Sequence, residues 1–165
     1  MATFAARRHR FPSIRIRAHS RRNYREGRVT SHLLGYLGPP SRADLRRHNP
    51  ELYPPGSRMG QMGLERQYEE ALHGRPGHKE VETDAFGRVV REVSHRKPEP
   101  GSNLVLTLDR HLQEITNEAL APHQEASAVA LNPRTGGILA MVSRPTFDPN
   151  EFIGGLTSKT WQDLR

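Results

Sequence analysis

The stretch of residues 127–150 constrains the fold more than any other part of this chain. Two nearly continuous apolar segments, 127–131 and 137–142, flank the turn Asn132-Pro133-Arg134-Thr135-Gly136. Short apolar runs bounded by turn residues read as strands, and the lack of polar alternation implies strands buried on both faces. The predicted hairpin therefore calls for covering layers on each side. A Pro-rich loop, Arg144-Pro145-Thr146-Phe147-Asp148-Pro149-Asn150, follows it.

The rest of the chain is leaner. Only 34% of its 165 residues are hydrophobic, and the mean hydropathy is −0.76. That allows one ordinary domain, or a small domain plus part of another. Charge is uneven: residues 1–48 hold 12 arginines against two acids, Glu26 and Asp44, while the remainder holds 13 basic and 16 acidic residues. A basic segment invites a nucleic-acid reading, but it lacks interleaved aromatics and any helix-turn-helix or zinc-finger pattern. A solvated arginine-rich face is the reading we adopt, with no nucleic-acid partner expected.

The absence of cysteine excludes disulfides and thiolate metal sites. The nine histidines form no His-x-x-x-His pair, so no metal and no cofactor is expected. No apolar run approaches the roughly 20 residues needed to span a bilayer. The first residues also lack a hydrophobic signal core. On this reading the chain carries neither anchor nor export signal.

Periodicity sketches an α+β chain. Residues 13–18 alternate apolar and charged as a half-buried strand, and 30–37 read as a second strand ended by Gly38-Pro39-Pro40. Ser41 is placed to cap a short helix over 42–48, and a turn-rich stretch covers 49–63. The clearest helix runs from Gly63 to Gly74, with Leu64, Tyr68, Ala71 and Leu72 on one face and Gly74 as its stop. Segments 79–83 and 88–93 form a hairpin about Asp84-Ala85-Phe86-Gly87. Lys97-Pro98-Glu99-Pro100-Gly101 reads as a linker. Beyond it come a strand over 103–108 and a helix over 110–121, capped by Asp109, with Leu112, Ile115, Ala119 and Leu120 on one face. Thr157 or Ser158 would cap a last helix.

Three segments imitate catalytic motifs of serine acyl-transfer enzymes. Ser94-His95-Arg96-Lys97 has the Ser-x-x-Lys spacing that lets a lysine take the serine proton from one helical turn away. It lies in a charged linker stretch before Pro98, whereas an activated lysine needs a desolvated setting. Tyr53-Pro54-Pro55-Gly56-Ser57 resembles the lead-in to a catalytic serine, but the third residue on is Gly60 rather than lysine. Arg134-Thr135-Gly136 imitates a Lys-Thr-Gly carboxylate-binding strand, yet sits at a hairpin tip where turn chemistry explains the glycine. Lys159-Thr160 is followed by Trp161, and no Ser-x-Asn occurs. No catalytic residue is assigned.

Five segments in fixed order carry a family resemblance. They are Arg22-x-Tyr24-x-x-Gly27 with His32-x-x-Gly35-Tyr36; Gly63-Leu64-Glu65-Arg66-Gln67-Tyr68-Glu69 with Leu72-x-Gly74; Gly87-Arg88-Val89-Val90-Arg91; Leu106-Thr107-Leu108-Asp109 with Leu112-Gln113; and the hairpin run with Pro133 and Gly136, through Phe147-Asp148-Pro149-Asn150. From about Phe11 onward the chain resembles the penicillin-binding protein 2 family, the elongation-type class B peptidoglycan transpeptidases. Two positions depart from the family pattern. Arg25 stands where proline is usual after the tyrosine, loosening that turn, and Asn132 replaces a usual Asp while still suiting a turn.

The resemblance implies a division at Lys97. Residues 1–97 would be part of a non-catalytic pedestal, or dimerisation, domain, strand-rich with short helices. Residues 98–165 would be the first strands and helix of a transpeptidase fold, incomplete before its catalytic serine. In that fold a serine attacks the D-Ala-D-Ala end of a stem peptide and a second peptide's amine resolves the acyl-enzyme. The serine is expected a few tens of residues beyond Arg165, and a membrane anchor before Met1. Stem peptides and β-lactams would bind only the intact protein, anchored in the bacterial inner membrane with periplasmic domains. The pedestal would meet a glycan polymerase and scaffold proteins of the elongation complex. The alternatives are a stand-alone adaptor that binds cell-wall partners through the pedestal, and a basic nucleic-acid-binding protein.

Two structural expectations follow. Glu65 and Glu69 share a helix face, where like charges repel, so Arg22 is expected to pair with Glu65. Residues 98–165 in isolation are expected to be poorly soluble, because the hairpin strands would expose apolar surface.

Overall fold

The structure is a computed structural model, and residues 21–153 are described. The expected strand over 13–18 and the helix capped by Thr157 or Ser158 lie outside them. Within them the fold is α+β: short helices joined to three separate two-stranded antiparallel sheets.

Helix α1 spans Gly27–Leu34, where a strand over 30–37 was expected; only Leu37–Gly38 (β1) is extended. The reason lies in small residues. Gly27, Ser31 and Gly35, four apart, form the buried stripe of α1, and a stripe of small residues carries no apolar periodicity to read. At its end Gly35 has φ +78°, and a Cβ there would sit 1.9 Å from the Met62 carbonyl oxygen. Gly63 returns the approach with φ +60° against the Leu33 carbonyl oxygen. Only glycine tolerates both this backbone conformation and such proximity.

Helix α2 (Arg42–Arg47) is capped by Ser41 as expected. The Ser41 hydroxyl accepts from the Asp44 amide at 3.1 Å, and the Asp44 carboxylate accepts from the Ser41 amide at 2.9 Å, a reciprocal capping box. A 3₁₀ turn (Pro50–Leu52) and strand β2 (Met59–Gly60), paired with β1, occupy the turn-rich stretch.

The single helix expected over 63–74 is two, α3 (Gly63–Gln67) and α4 (Glu69–His73), broken at Tyr68 with φ −112° and ψ 25°. The face differs in part: Leu64, Ala71 and Leu72 are half-buried, but Tyr68 is exposed while Glu65 and Glu69 are buried. The break turns Glu69 toward the Gly60 amide, and a charge-assisted bond to a buried carboxylate outweighs one turn of regular helix. Gly74, at φ +72°, ends α4 as expected.

Strands β3 (His78–Thr83) and β4 (Val89–Arg96) form the expected hairpin, with the Asp84 amide bonded to the Arg88 carbonyl and Gly87 at φ +74°. Among the described residues these strands contact chiefly each other. Strand β4 extends through Arg96, so Ser94 belongs to the hairpin rather than to a linker. Ser94 is extended and Lys97 lies just past the strand end, so the pair is not one helical turn apart and the Ser94…Lys97 spacing cannot act as it does on a helix.

Residues 103–108 form no ladder among the described residues, contrary to the strand reading. Period-2 alternation places Leu104, Leu106 and Leu108 along a groove beside α1 and α3, but alternation does not supply a partner strand. The segment is tied instead at its end, where Thr107 Oγ1 donates to the Ile138 carbonyl and the Asp109 amide to that of Leu139. Asp109 caps α5 (Arg110–Ala119) through the Leu112 amide at 2.9 Å. Ile115 is half exposed; Gln113, not the apolar stripe, is the most buried residue of α5.

Strands β5 (Ala126–Leu131) and β6 (Ile138–Arg144) pair as expected. Their burial is one-sided. Ala140 and Val142 are buried against α5 and α1, while Val129, Leu131, Ile138 and Met141 are left exposed on the other face among the described residues. Asn132 Oδ1 accepts from the Arg134 and Thr135 amides, and Gly136 sits at φ +72°, which makes the tip an Asx turn. Helix α6 (Pro149–Ile153) closes the described chain.

Candidate functional site: a buried polar junction

Most of the assigned motif residues converge on a network between the N-terminal helices and the start of α6. Arg22 Nη2 donates to Glu65 Oε2 at 3.0 Å, and its Nε lies 2.8 Å from Oε1, off the line of a hydrogen bond. The expected pair is present. Tyr24 donates its hydroxyl to Glu65 Oε1 at 3.1 Å. Burial, reinforced by the Glu65 charge, pushes the Tyr24 phenol well above its ordinary value. For Arg22, partial burial works against the charge, but the hydrogen bond and attraction from Glu65 outweigh it and raise its pKa.

One turn on, Glu69 builds a second cluster. Its Oε2 accepts from the Gly60 amide at 2.7 Å and its Oε1 from the Tyr53 hydroxyl at 3.0 Å. His73 Nδ1 stands 3.1 Å from the same Oε1, and its Nε2 is 2.8 Å from the Leu52 carbonyl. Burial, with the Glu69 charge second, likewise pushes the Tyr53 phenol up. Thus two like charges one turn apart serve separate partners: Glu65 holds the chain entering α1, and Glu69 fastens β2 and the 3₁₀ turn.

Tyr24 also faces the other way. Its amide donates to Asn150 Oδ1 at 3.0 Å, and its carbonyl accepts from Asn150 Nδ2 at 2.9 Å. The carboxamide thus pairs with both backbone groups of one residue, as a neighbouring strand would. Asp148 Oδ1 accepts from the Asn150 amide and from Nδ2, both at 2.9 Å, which orients the carboxamide at the start of α6. Gly27 makes room: a Cβ there would stand 2.7 Å from Asp148 Oδ1. Pro149 is buried at the first position of α6, where its missing amide costs nothing.

His32 Nε2 lies 2.8 Å from the Pro145 carbonyl, and its ring meets Phe147 edge-on. Tyr36 stacks on Phe152 with centroids 3.9 Å apart. Gln113, 2% exposed, completes the junction from α5. Its Nε2 donates to the Val29 and Met141 carbonyls, and its Oε1 accepts from the Met141 amide.

Of the assigned residues, Arg22, Tyr24, Gly27, His32, Gly35, Gly63, Glu65, Glu69, Asp148 and Pro149 gather in or beside this junction. Tyr68 lies at the helix break with an exposed ring, Gly74 ends α4, Asp109 caps α5, and Pro133 and Gly136 lie at the distant tip of the β5–β6 hairpin. Asn150 and Gln113 were quoted in motifs but not assigned. Their signal was a polar residue adjoining an apolar run, too common to stand out. Tyr53-Pro54-Pro55-Gly56-Ser57 is a turn in which Ser57 donates its amide and hydroxyl to the Pro54 carbonyl.

Chemically, the junction binds segments together. Among the described residues no helix is long and apolar enough to cross a membrane.

Residues 1–106 match the penicillin-binding protein dimerisation domain, and residues 126–164 match the penicillin-binding protein transpeptidase domain. The chain is 38% identical over 168 residues to the peptidoglycan D,D-transpeptidase MrdA of Escherichia coli K12, covering 99% of this chain and 26% of that protein. It is 38% identical over 165 residues to MrdA of Acinetobacter baumannii, covering 100% of this chain and 24% of that protein. It therefore spans about a quarter of the length of these relatives. The fold superposes on a penicillin-binding protein PBP2 solved in complex with MreC from Helicobacter pylori, with TM-score 0.81, 26% identity, and coverage of 99% of this chain and 30% of that one. A Pseudomonas aeruginosa PBP2 gives TM-score 0.72 and 33% identity, over 92% of this chain and 30% of that one. With both domain matches in sequence order on one chain, this protein belongs to the penicillin-binding protein family, in the group of PBP2 and the MrdA transpeptidases.

Proposed function

We propose that this chain is part of a peptidoglycan D,D-transpeptidase that cross-links stem peptides during cell elongation, and that its 165 residues carry structure rather than the reacting groups. Residues 1–97 serve as pedestal and residues 98–165 open the catalytic domain. The observation that carries the reading is the junction itself: the loop 145–150 docks on Tyr24 and His32 through bonds spanning 113 and 126 residues. Thr107 and Asp109, which bond to β6, and Gln113, which joins α5 to it, support a catalytic-domain start before residue 107, while residues 99–102 still bond to Arg75 and Ala71 of the pedestal side.

The acylated serine, the anchor in the inner membrane and the periplasmic placement of the domains belong to the complete gene product on this reading. The pedestal takes a scaffold protein and a glycan polymerase of the same elongation complex; a Helicobacter pylori PBP2 was solved in complex with MreC. The test is covalent labelling of the complete gene product by a fluorescent penicillin, blocked by prior β-lactam. Labelling of a serine outside these residues is expected. An unlabelled product, or a label on Ser57 or Ser94, would overturn the reading.

A further inference from the structure

We propose that Asn150 is a positioning residue for the transpeptidase: its carboxamide fixes the start of the catalytic domain against the pedestal by pairing with both backbone groups of Tyr24. This rests on the function proposed above and adds a specific role within it.

Four observations carry it. First, the contact is two-point. Oδ1 meets the Tyr24 amide at 3.0 Å and Nδ2 meets the Tyr24 carbonyl at 2.9 Å, so the side chain has one permitted orientation. Second, that orientation is held from behind, because Asp148 Oδ1 accepts from Nδ2 and from the Asn150 amide. Third, Tyr24 is anchored at its opposite end by Glu65, which also holds Arg22. A displacement of α3 is thereby passed through one buried residue to α6. Fourth, the site admits no larger neighbour, since a Cβ on Gly27 would meet Asp148 Oδ1 at 2.7 Å.

The chemistry also says which replacements fail. Aspartate keeps an acceptor for the Tyr24 amide but sets a second oxygen against the Tyr24 carbonyl and the Asp148 carboxylate. Alanine leaves both Tyr24 groups without a partner. Protonating the introduced carboxyl restores a donor, and the nearby Asp148 charge raises the pH at which it protonates.

The test uses the complete gene product and the rate of acylation by a fluorescent penicillin. Asn150→Ala and Asn150→Asp are expected to slow acylation about tenfold at pH 7, the scale of a small misplacement of reacting groups. Asn150→Asp is expected to recover toward the wild-type rate as pH falls from about 7 to about 5. Val81→Ala, a truncation of a half-buried side chain in the β3–β4 ribbon, is expected to lower the melting temperature without changing the rate. If the wild type is not acylated, the functional reading itself fails. If the wild type is acylated and both variants match it, the positioning role is overturned. It is equally overturned if Val81→Ala slows acylation as much as they do. Should Asn150→Ala fail to fold, the pH profile of Asn150→Asp decides: recovery supports the proposal, and a flat ratio to wild type rejects it.

Discussion

The β3–β4 hairpin and the junction around Tyr24 use the same chemistry in opposite surroundings. In the hairpin, Lys79 pairs with Glu92 and Arg91 with Glu82 across the strands, all well exposed. In the junction, Arg22 pairs with Glu65, whose side chain is only 8% exposed. Water competes for the first set of pairs and screens them, so each contributes about 0–1 kcal/mol. At the junction the carboxylate has left water and depends on the partners it has found. The lesson is that an ion pair here should be weighed by what its loss would strand.

That contrast sets a graded series of expectations in the complete gene product, read by denaturant unfolding. The largest effect belongs to Glu65→Ala, which strands Arg22 and the Tyr24 hydroxyl. Removing one partner of a buried pair costs roughly 3–5 kcal/mol, and we expect about 2–3 because Arg22 is partly open to solvent. A loss no greater than that of Glu82→Ala would break the comparison. Next comes Gly60→Ala, whose Cβ would sit 2.2 Å from the Glu65 carbonyl; overpacking of this kind costs about 1–3 kcal/mol. Tyr53→Phe removes one bond to Glu69 and is expected to cost about 1 kcal/mol. Arg91→Ala, on the hairpin, should change stability by less than about 0.5 kcal/mol, and addition of salt should erase even that.

A pH experiment sharpens the same contrast. The phenols of Tyr24 and Tyr53 are raised in the folded state above the ordinary value of 10.0. Above that value the unfolded chain releases protons that the folded chain keeps, so stability falls as pH rises. Their contribution is complete below pH 10 and is lost through the alkaline range above it. The Tyr24→Phe and Tyr53→Phe variants should each show a shallower alkaline decline in melting temperature than the wild type. An unchanged slope would mean that these hydroxyls are not buried against carboxylates.

Where signals were local, the sequence was readable. Ser41 and Asp109 act as caps through amides three residues away, and Asp84-Ala85-Phe86-Gly87 turns its hairpin by itself. Even the Arg22–Glu65 pair could be reasoned out, because two acids on one helix face call for a distant arginine and the family motif singled out Arg22. What escaped were features whose cause lies elsewhere in the chain. Helix α1 is buried through Gly27, Ser31 and Gly35, residues that fill no hydrophobic pattern. Residues 103–108 have strand alternation without a ladder among the described residues. Asn150 and Gln113 replace backbone pairing for partners 126 and 84 residues distant, which no window along the chain contains.

The isolation of the β3–β4 ribbon has a consequence for how such a chain can change over time. Phe86 at its tip is 84% exposed, and its strands contact chiefly each other. Residues 78–96 can thus lengthen, shorten or exchange their side chains without altering the constraints on Tyr24, Glu65 or Asn150. Outside the Gly87–Arg91 segment, variation should be tolerated in the ribbon while the junction stays fixed, and a peptide tag inserted between Ala85 and Phe86 should leave the rest of the protein undisturbed.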